Sequence, residues 1–253
     1  MQVWKDASSP ACEKGKTTTM KNAKTERIKA RQNILSEKSD FNVIEAYKAA
    51  RTNLIFTIEK DTDKKAIVFT SVLPGDGKTT SCINLAVTFA QTGSNVLIID
   101  GDMRRPAIHR YLGTPASPGL SDRLGGFSDY EDCLYPTRYK GLFVMPAGVI
   151  PPNPSELVLS DEMDRTLAFL SNKFDYIFVD APPVGLVTDA AILGTKTLGV
   201  VFVVKQGATS KGAIAEQLKV LEHNQAKLLG FLLNEAVDER AKSRYDGAKY
   251  GYY

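Results

Sequence analysis

Cysteine, histidine and long apolar runs are all scarce in this chain of 253 residues. The three cysteines are odd in number and scattered (Cys12, Cys82 and Cys133), so they form no disulfide framework and favour a reducing compartment. The two isolated histidines give no zinc-binding pattern. The longest apolar stretches, such as 200–204, are far shorter than the roughly 20 residues that cross a bilayer, and no secretion signal is visible. We therefore expect a cytoplasmic protein.

Charge is unevenly distributed along the chain. Residues 1–39 carry nine basic and four acidic residues, a net charge of +5, which leaves −2 for the remainder. This predicts a basic disordered arm or N-terminal extension over 1–40, a folded domain over 41–237 and a flexible tail over 238–253. The arm is either a solvated tail or a segment attracted to anionic lipid, and Met20 is an alternative start. Because the folded body is net acidic, we expect no nucleic-acid partner.

Short apolar runs alternate with helix-length segments along the folded part. The runs predict buried strands at 66–71, 96–100, 142–145, 176–179, 200–204 and 228–233. Helical patterns lie at 43–58, 78–91, 155–171 and 211–223. Strands that are apolar on both faces and alternate with helices indicate an α/β fold, with a mostly parallel central sheet covered by helices on both faces.

The segment 71–80 reads S-V-L-P-G-D-G-K-T-T and lies between the first predicted strand and a helix. Glycines in such a loop let backbone N–H groups surround phosphate oxygens at a helix N-terminus. Lys78 would reach the β- and γ-phosphates, and the Thr79 hydroxyl would bind Mg²⁺. This variant P-loop predicts ATP binding. Its predicted contacts are Gly75, Asp76, Gly77, Lys78, Thr79 and Thr80.

Three acidic residues follow two other predicted strands. Asp100 and Asp102 lie in I-I-D-G-D-M-R-R-P at 98–106, and Asp180 ends the run at 176–180. The carboxyl ends of parallel strands share one edge of a sheet, so these acids should face the phosphate loop. Carboxylates, a hydroxyl and phosphates are the ligands that Mg²⁺ accepts. We therefore predict a P-loop NTPase-like site with ATP and Mg²⁺ as cofactors.

Taken together, these motifs resemble the deviant P-loop class, which includes partition and septum-site ATPases. Those ATPases carry a lysine early in the loop, where this chain has Leu73. The chain looks more like a bacterial tyrosine kinase of the capsular and exopolysaccharide type, in its separate cytoplasmic form. The resemblance covers 41–253, and P-P-N-P-S-E-L at 151–157, D-A-P-P at 180–183 and the tyrosine-rich end belong to it.

This resemblance implies roles for particular residues. Lys78 would stabilise phosphate charge, Thr79, Asp102 and Asp180 would hold Mg²⁺, and Asp100 would take the proton of the acceptor phenol. Asn234 matches a position that contacts adenine, although an asparagine at a strand end is also a common turn residue. Two further sets are implied. The autophosphorylation sites would be Tyr245, Tyr250, Tyr252 and Tyr253, and the subunit contact would be formed by Glu45, Lys48 and Arg51 of an E-x-x-K-x-x-R element.

The family also implies partners and a location. These are a membrane-spanning polysaccharide co-polymerase adaptor that activates the kinase at the inner face of the plasma membrane, a homo-oligomeric ring and a cognate tyrosine phosphatase. Two other functions stay open at this point. One is a positioning ATPase that acts as a nucleotide-dependent switch, which Leu73 disfavours. The other is an inactive nucleotide-binding scaffold, which the presence of Lys78, Thr79 and the three acids disfavours.

Overall fold

The computed structural model of the protein describes residues 34–58 and 63–236. Its strands are β1 (Ala66–Ser71), β2 (Val96–Asp100), β3 (Tyr135–Pro136), β4 (Leu142–Met145), β5 (Tyr176–Asp180), β6 (Val200–Lys205) and β7 (Leu228–Asn234). Its α-helices are α1 (Phe41–Thr57), α2 (Lys78–Ala90), α3 (Ile108–Leu112), α4 (Leu120–Leu124), α5 (Pro154–Leu159), α6 (Asp161–Ser171), α7 (Asp189–Lys196) and α8 (Lys211–His223).

The strands form one sheet in the order β3-β4-β2-β5-β1-β6-β7. All neighbours are parallel except β3, a two-residue strand that runs antiparallel to β4 at one edge. Strand β5 lies between β1 and β2, and its register sets Asp180 directly opposite Asp100. The predicted α/β class with a mostly parallel central sheet is confirmed.

Apolar residues of the central strands supply two cores, one on each face of the sheet. In β1, Ala66 and Val68 pack into one core and Ile67 and Phe69 into the other, because successive side chains of a strand point to opposite faces. All six residues of β1 are buried. Helix α2 covers the second core, and Phe89 stacks edge-on against Phe178 of β5 with ring centroids 5.2 Å apart. Burial on both faces explains why these strands are continuous apolar runs.

The helical pattern at 155–171 is divided in the structure. Ser160 has an extended backbone (φ −61°, ψ 154°), so α5 ends before it and α6 begins after it. The sequence patterns also missed α3, α4 and α7, which have five, five and eight residues. Helices this short give too few turns for an apolar period to be visible.

The folded part begins earlier than the sequence indicated. Residues 34–40 had been assigned to the basic arm, yet Ile34 and Leu35 are buried in the core, with only 2% and 4% of their surface exposed. The Leu35 N–H donates to Asn84 Oδ1 (2.8 Å), and its carbonyl accepts from the Tyr139 hydroxyl (2.9 Å). These long-range bonds fix the segment that leads into α1.

The rest of the arm, residues 1–33, and the tail over 238–253 lie outside the described residues. The predicted phosphorylation sites at Tyr245, Tyr250, Tyr252 and Tyr253 therefore have no structural description. Among the helices that are described, none is both long and apolar enough to cross a membrane.

Docking of residues 34–40 has a measurable consequence. We expect Ile34→Ala to lower the free energy of unfolding by about 2 kcal/mol or more, because a buried isoleucine loses apolar contacts and leaves a cavity. Phe41→Ala removes a larger side chain that is mostly exposed, and is expected to change the value by less than about 0.5 kcal/mol. Urea denaturation measures both. Equal effects would mean that Ile34 is not part of the core.

Candidate nucleotide-binding and active site

Three neighbouring strands bring their carboxyl ends together at one edge of the sheet. The loop 72–77 follows β1, Asp100 and Asp102 stand at the end of β2, and Asp180 ends β5. Because β5 pairs with both β1 and β2, the loop and the acids meet. The loop after β5 is held against β1 by Thr70, whose hydroxyl donates to the carbonyl of Pro182 (2.8 Å) and accepts from the Val184 N–H (3.1 Å).

The loop between β1 and α2 depends on two glycines with left-handed backbone conformations. Gly75 and Gly77 have φ values of 90° and 91°. Gly77 has a second constraint, since a Cβ atom there would lie 2.0 Å from Nδ2 of Asn234. That Nδ2 donates to the carbonyl of Asp76 (3.0 Å), so Asn234 at the end of β7 ties the loop to the edge strand of the sheet. Gly77 is thus required by conformation and by close approach.

The carboxylate of Asp76, a residue predicted to contact the cofactor, is bonded to other parts of the protein. Its side chain is buried, and its carboxylate accepts hydrogen bonds from the Leu73 N–H (3.0 Å) and the Thr209 hydroxyl (3.3 Å). The carboxylate therefore stabilises the shape of the loop. Thr209 follows β6 and is distant in sequence, so no local pattern could have indicated this contact.

Lys78 and Thr79 connect the first turn of α2 to two of the acids. Lys78 Nζ lies 3.2 Å from Asp102 Oδ2 and 3.2 Å from Asp180 Oδ1. The Thr79 hydroxyl donates to Asp180 Oδ2 at 2.6 Å. The structure therefore assembles the predicted set of one ammonium, one hydroxyl and two carboxylates at one point. No cluster of three or more His, Cys, Asp or Glu side chains that could hold a metal occurs in the described ranges.

Burial and the neighbouring charges shift the pKa values of the ionisable side chains in this group. Burial alone would lower the pKa of Lys78, but the carboxylates of Asp180, Asp102 and Asp100 raise it above its ordinary value, so the ammonium stays charged. Burial also raises the pKa of Asp180, although Lys78 and the Thr79 hydroxyl oppose that shift. The lysine is the counter-charge that allows two acids to stand at adjacent strand ends.

Asp100 is held apart from this ion-pair network. Its side chain is completely buried, and Oδ2 accepts from the N–H groups of Ala107 and Ile108 (2.9 and 3.0 Å) at the start of α3. Oδ1 has no hydrogen-bond partner within the described part of the chain. Burial, followed by the nearby charge of Asp180, raises the pKa of Asp100 to about 7. One oxygen is thus fixed by two N–H groups, and the other is buried without a hydrogen-bond partner among the described residues.

A cavity of about 920 Å³ opens at this edge of the sheet. Every residue predicted to bind the cofactor except Asp76 lines it, as does Asp102. Residues 34–40 contribute a wall that sequence patterns had not indicated, through Leu35, Lys38, Ser39 and Asp40. The volume is typical of a small-molecule site.

The three residues predicted for subunit contact lie on α1. Glu45 and Lys48 are partly exposed and pair with each other (2.8 Å). Arg51 instead donates from Nη1 to the carbonyl of Thr88 near the end of α2 (2.7 Å), so within one chain it joins two helices. Phe41 and Phe56 share the α1 face of Glu45 and Lys48, and they are 71% and 82% exposed.

A second cluster adjoins the cavity and was not predicted. Arg104, which lines the cavity, pairs with the buried Asp189 at the start of α7, and both contact Ser155 of α5. The sequence signal was the arginine pair in the motif at 98–106, but nothing local linked it to the other two residues.

Comparisons with known proteins identify the family of this chain. A family profile described as an AAA domain matches residues 64–230. Tyrosine-protein kinase YwqD of Bacillus subtilis is 37% identical over 209 residues, which cover 83% of this chain and 85% of that protein. The crystal structure of the chimerical protein CapA2B2 superposes with a TM-score of 0.73 at 38% identity, over 79% of this chain and 87% of that one.

The chain belongs to the bacterial tyrosine kinases of the capsular and exopolysaccharide type. The prediction of a tyrosine-protein kinase, made from the motifs, is confirmed. Some members of this kinase family are much longer. Tyrosine-protein kinase wzc of Salmonella typhimurium is 36% identical over 83% of this chain, but the match spans only 28% of its own length.

The close approach of Gly77 to Asn234 gives a test of the kinase loop. Gly77→Ala and Gly75→Ala introduce the same left-handed strain, but only the first displaces Asn234 and breaks its bond to Asp76. We expect Gly77→Ala to be less stable than Gly75→Ala by about 1–2 kcal/mol in urea denaturation. Asn234→Ala removes the obstructing amide. In a protein that carries this substitution, Gly77→Ala and Gly75→Ala should therefore lower the free energy of unfolding by similar amounts. A difference that persists there would contradict the contact.

The raised pKa of Asp100 gives a test by pH. Between the ordinary value of 3.8 and about 7, the folded kinase holds a proton that the unfolded chain has lost, so this residue makes stability fall as pH rises. The unfolding free energy of wild type minus that of Asp100→Asn should therefore decrease from pH 5 to 7, by at most about 1.4 kcal/mol per pH unit, and level off above 7.

Urea denaturation of the nucleotide-free protein across this range measures the difference. Asp161→Asn, which removes an exposed carboxylate at the start of α6, is the matched control. A difference that increases with pH would show an Asp100 stabilised in its charged form, contrary to the prediction.

Proposed function

We propose that this kinase transfers the γ-phosphoryl group of ATP to tyrosines at the C-terminus of a neighbouring copy, and thereby regulates capsular or exopolysaccharide synthesis and export. The observation that carries the proposal is the convergence of Lys78, Thr79, Asp102 and Asp180 beside a cavity of about 920 Å³. Phosphoryl transfer depends on positioning and charge neutralisation, which this group supplies.

ATP would lie with its phosphates in the loop around Gly75 and Gly77, at the N-terminus of α2. In this arrangement the Lys78 ammonium exchanges its carboxylate partners for the β- and γ-phosphates. Asn234 lies on the cavity wall, where the family resemblance implies contact with adenine. Its amide already bonds the loop, so it would join the base and phosphate regions of the nucleotide site.

The oxygen atoms of Thr79, Asp102 and Asp180 fit Mg²⁺. They are hard donors, and both carboxylates come within 3.2 Å of the Lys78 ammonium, so they already converge on one positive charge. These three residues would hold the ion directly or through its waters. The ion supplies charge neutralisation on the transferred phosphoryl group.

Asp100 is the proposed general base. The phenol oxygen attacks Pγ, the bond from Pγ to the oxygen bridging to the β-phosphate breaks, and ADP leaves while the phenol proton passes to the carboxylate. A pKa of about 7 suits this role, because a base works best when its pKa lies near the operating pH. The oxygen without a hydrogen-bond partner, Oδ1, would accept the proton.

The proposed acceptors are Tyr245, Tyr250, Tyr252 and Tyr253, four of the ten tyrosines of the chain within its last nine residues. Each phosphate adds nearly two negative charges, which would weaken a tail bound to a neighbour and couple modification to disassembly. A cognate tyrosine phosphatase would reverse the modification.

The proposed assembly is a homo-oligomeric ring in which α1 contacts the next subunit through Glu45, Lys48 and Arg51. The exposed phenylalanines on the same helix, Phe41 and Phe56, support an interface there, since large exposed apolar side chains mark contact surfaces. A membrane-spanning polysaccharide co-polymerase adaptor would recruit the kinase to the inner face of the plasma membrane and activate it.

Isotope labelling separates transfer between copies from transfer within one chain. Unlabelled wild-type protein is mixed with ¹⁵N-labelled Lys78→Met protein, Mg²⁺ and ATP, with and without the cytoplasmic segment of the adaptor. Peptide mass spectrometry should find phosphate on labelled Tyr245, Tyr250, Tyr252 and Tyr253, because the variant supplies the acceptor but lacks the phosphate-binding ammonium.

The Lys78→Met protein alone should stay unmodified, and circular dichroism checks that it is folded. Phosphate confined to unlabelled chains would overturn transfer between copies. Absence of phosphate from all tail tyrosines while ATP is hydrolysed would overturn the proposal that the kinase modifies its own C-terminal tyrosines.

A further inference from the structure

Arg104 is fixed by a closed set of hydrogen bonds at the edge of the nucleotide cavity. Its Nε donates to Asp189 Oδ2 (3.2 Å), and its Nη2 donates to Ser155 Oγ (2.8 Å). Ser155 Oγ donates in turn to Asp189 Oδ1 (2.6 Å). Each of the three side chains therefore contacts the other two, and the guanidinium is held along one edge.

Asp189 makes this arrangement rigid. Only 1% of its side chain is exposed, whereas 39% of the Arg104 side chain is. A buried carboxylate needs a counter-charge, and Arg104 is the cation that pairs with it. The guanidinium cannot turn away without leaving Asp189 buried and unpaired, so its position is set before any substrate binds.

The P-P-N-P-S-E-L motif at 151–157 acquires a role through Ser155. Pro154 begins α5, which places Ser155 in the first turn beside the start of α7. The motif thus brings one hydroxyl to the pair formed by Arg104 and Asp189, which come from the segment after β2 and from α7.

The opposite edge of the guanidinium is available to a ligand. Within the described ranges, the hydrogen bonds of Arg104 use Nε and Nη2, which leaves the Nη1 donors. Arg104 lines the cavity together with Asp102 and with the apolar side chains of Pro182, Leu186 and Val187. An apolar wall beside a fixed cation suits a phenol ring that has an anion next to it.

The phosphate side of the cavity has its own set of groups in the loop amides, Lys78 and Thr79. We propose that Ser155 and Asp189 are positioning residues, and that they hold Arg104 to bind a carboxylate next to the acceptor tyrosine. This rests on the proposed function. In the sequence of the tail, the candidate carboxylate is Asp246, which follows Tyr245.

Steady-state kinetics tests the proposal with ¹⁵N-labelled Lys78→Met protein as acceptor and the full chain as enzyme. Arg104→Gln should raise the KM for acceptor about tenfold, the loss expected for one charge-assisted hydrogen bond. The KM for ATP, and kcat at saturating acceptor, should stay within about twofold. Ser155→Ala and Asp189→Asn should raise the same KM by smaller factors. Arg104→Lys should not restore it, because an ammonium lacks the second edge that binds a ligand while the first is held.

A substitution in the acceptor protein tests which carboxylate binds to Arg104. Asp246→Asn in the acceptor should remove the difference between wild-type and Arg104→Gln enzyme if Asp246 is the ligand. A difference that survives this change would overturn the assignment of Asp246 as the ligand of Arg104.

Arg165→Gln is the matched enzyme control, since Arg165 is exposed on α6 and pairs only with Glu162 among the described residues. It should leave both KM values unchanged, and thermal unfolding should show that every variant is folded. A rise in the KM for ATP alone would place Arg104 on the nucleotide. An unchanged acceptor KM in Ser155→Ala and Asp189→Asn would overturn positioning. If the unmodified enzyme transfers no phosphate, the proposed function fails first.

Discussion

Lys78 lies between two buried carboxylates, 3.2 Å from Asp102 and 3.2 Å from Asp180. Two acids this close would repel each other, and each would lose hydration on burial, so the ammonium between them is a condition for the fold at this edge. Lys78 begins the helix that follows β1, Asp102 comes two residues after the end of β2, and Asp180 ends β5. Only a sheet in which β5 lies between β1 and β2 brings them together. Strand order and charge pairing therefore constrain each other.

The loop before α2 is held in place by residues at or after the ends of strands that are distant in sequence. Asn234 at the end of β7 bonds the carbonyl of Asp76, and Thr209 after β6 bonds its carboxylate. Gly77 permits the approach of Asn234 because it has no Cβ. A short phosphate-binding motif is thus supported by residues more than 130 positions away in sequence. Its conformation is a property of the whole sheet.

Sequence patterns predicted the parallel sheet because β1, β2, β5 and β6 are apolar on both faces. Each of these strands therefore appears in the sequence as a continuous apolar run. They also predicted the meeting of Lys78 with the acids, because the topology of parallel strands collects carboxyl ends. Residues 34–40 escaped prediction, since a polar segment with two buried side chains looks like a tail. The contacts of Arg104 with Ser155 and Asp189 escaped because they join three separate segments and have no local period.

The segment before α1, residues 34–40, forms part of the wall of the nucleotide cavity. Leu35 lines that cavity, and both of its backbone polar groups are bonded to residues elsewhere, Asn84 and Tyr139. A ligand that contacts Leu35 would stabilise the docked segment, and docking would strengthen the binding of that ligand by the same free energy. Any change that displaces residues 34–40 from Asn84 and Tyr139 would then weaken the binding of a ligand that contacts Leu35.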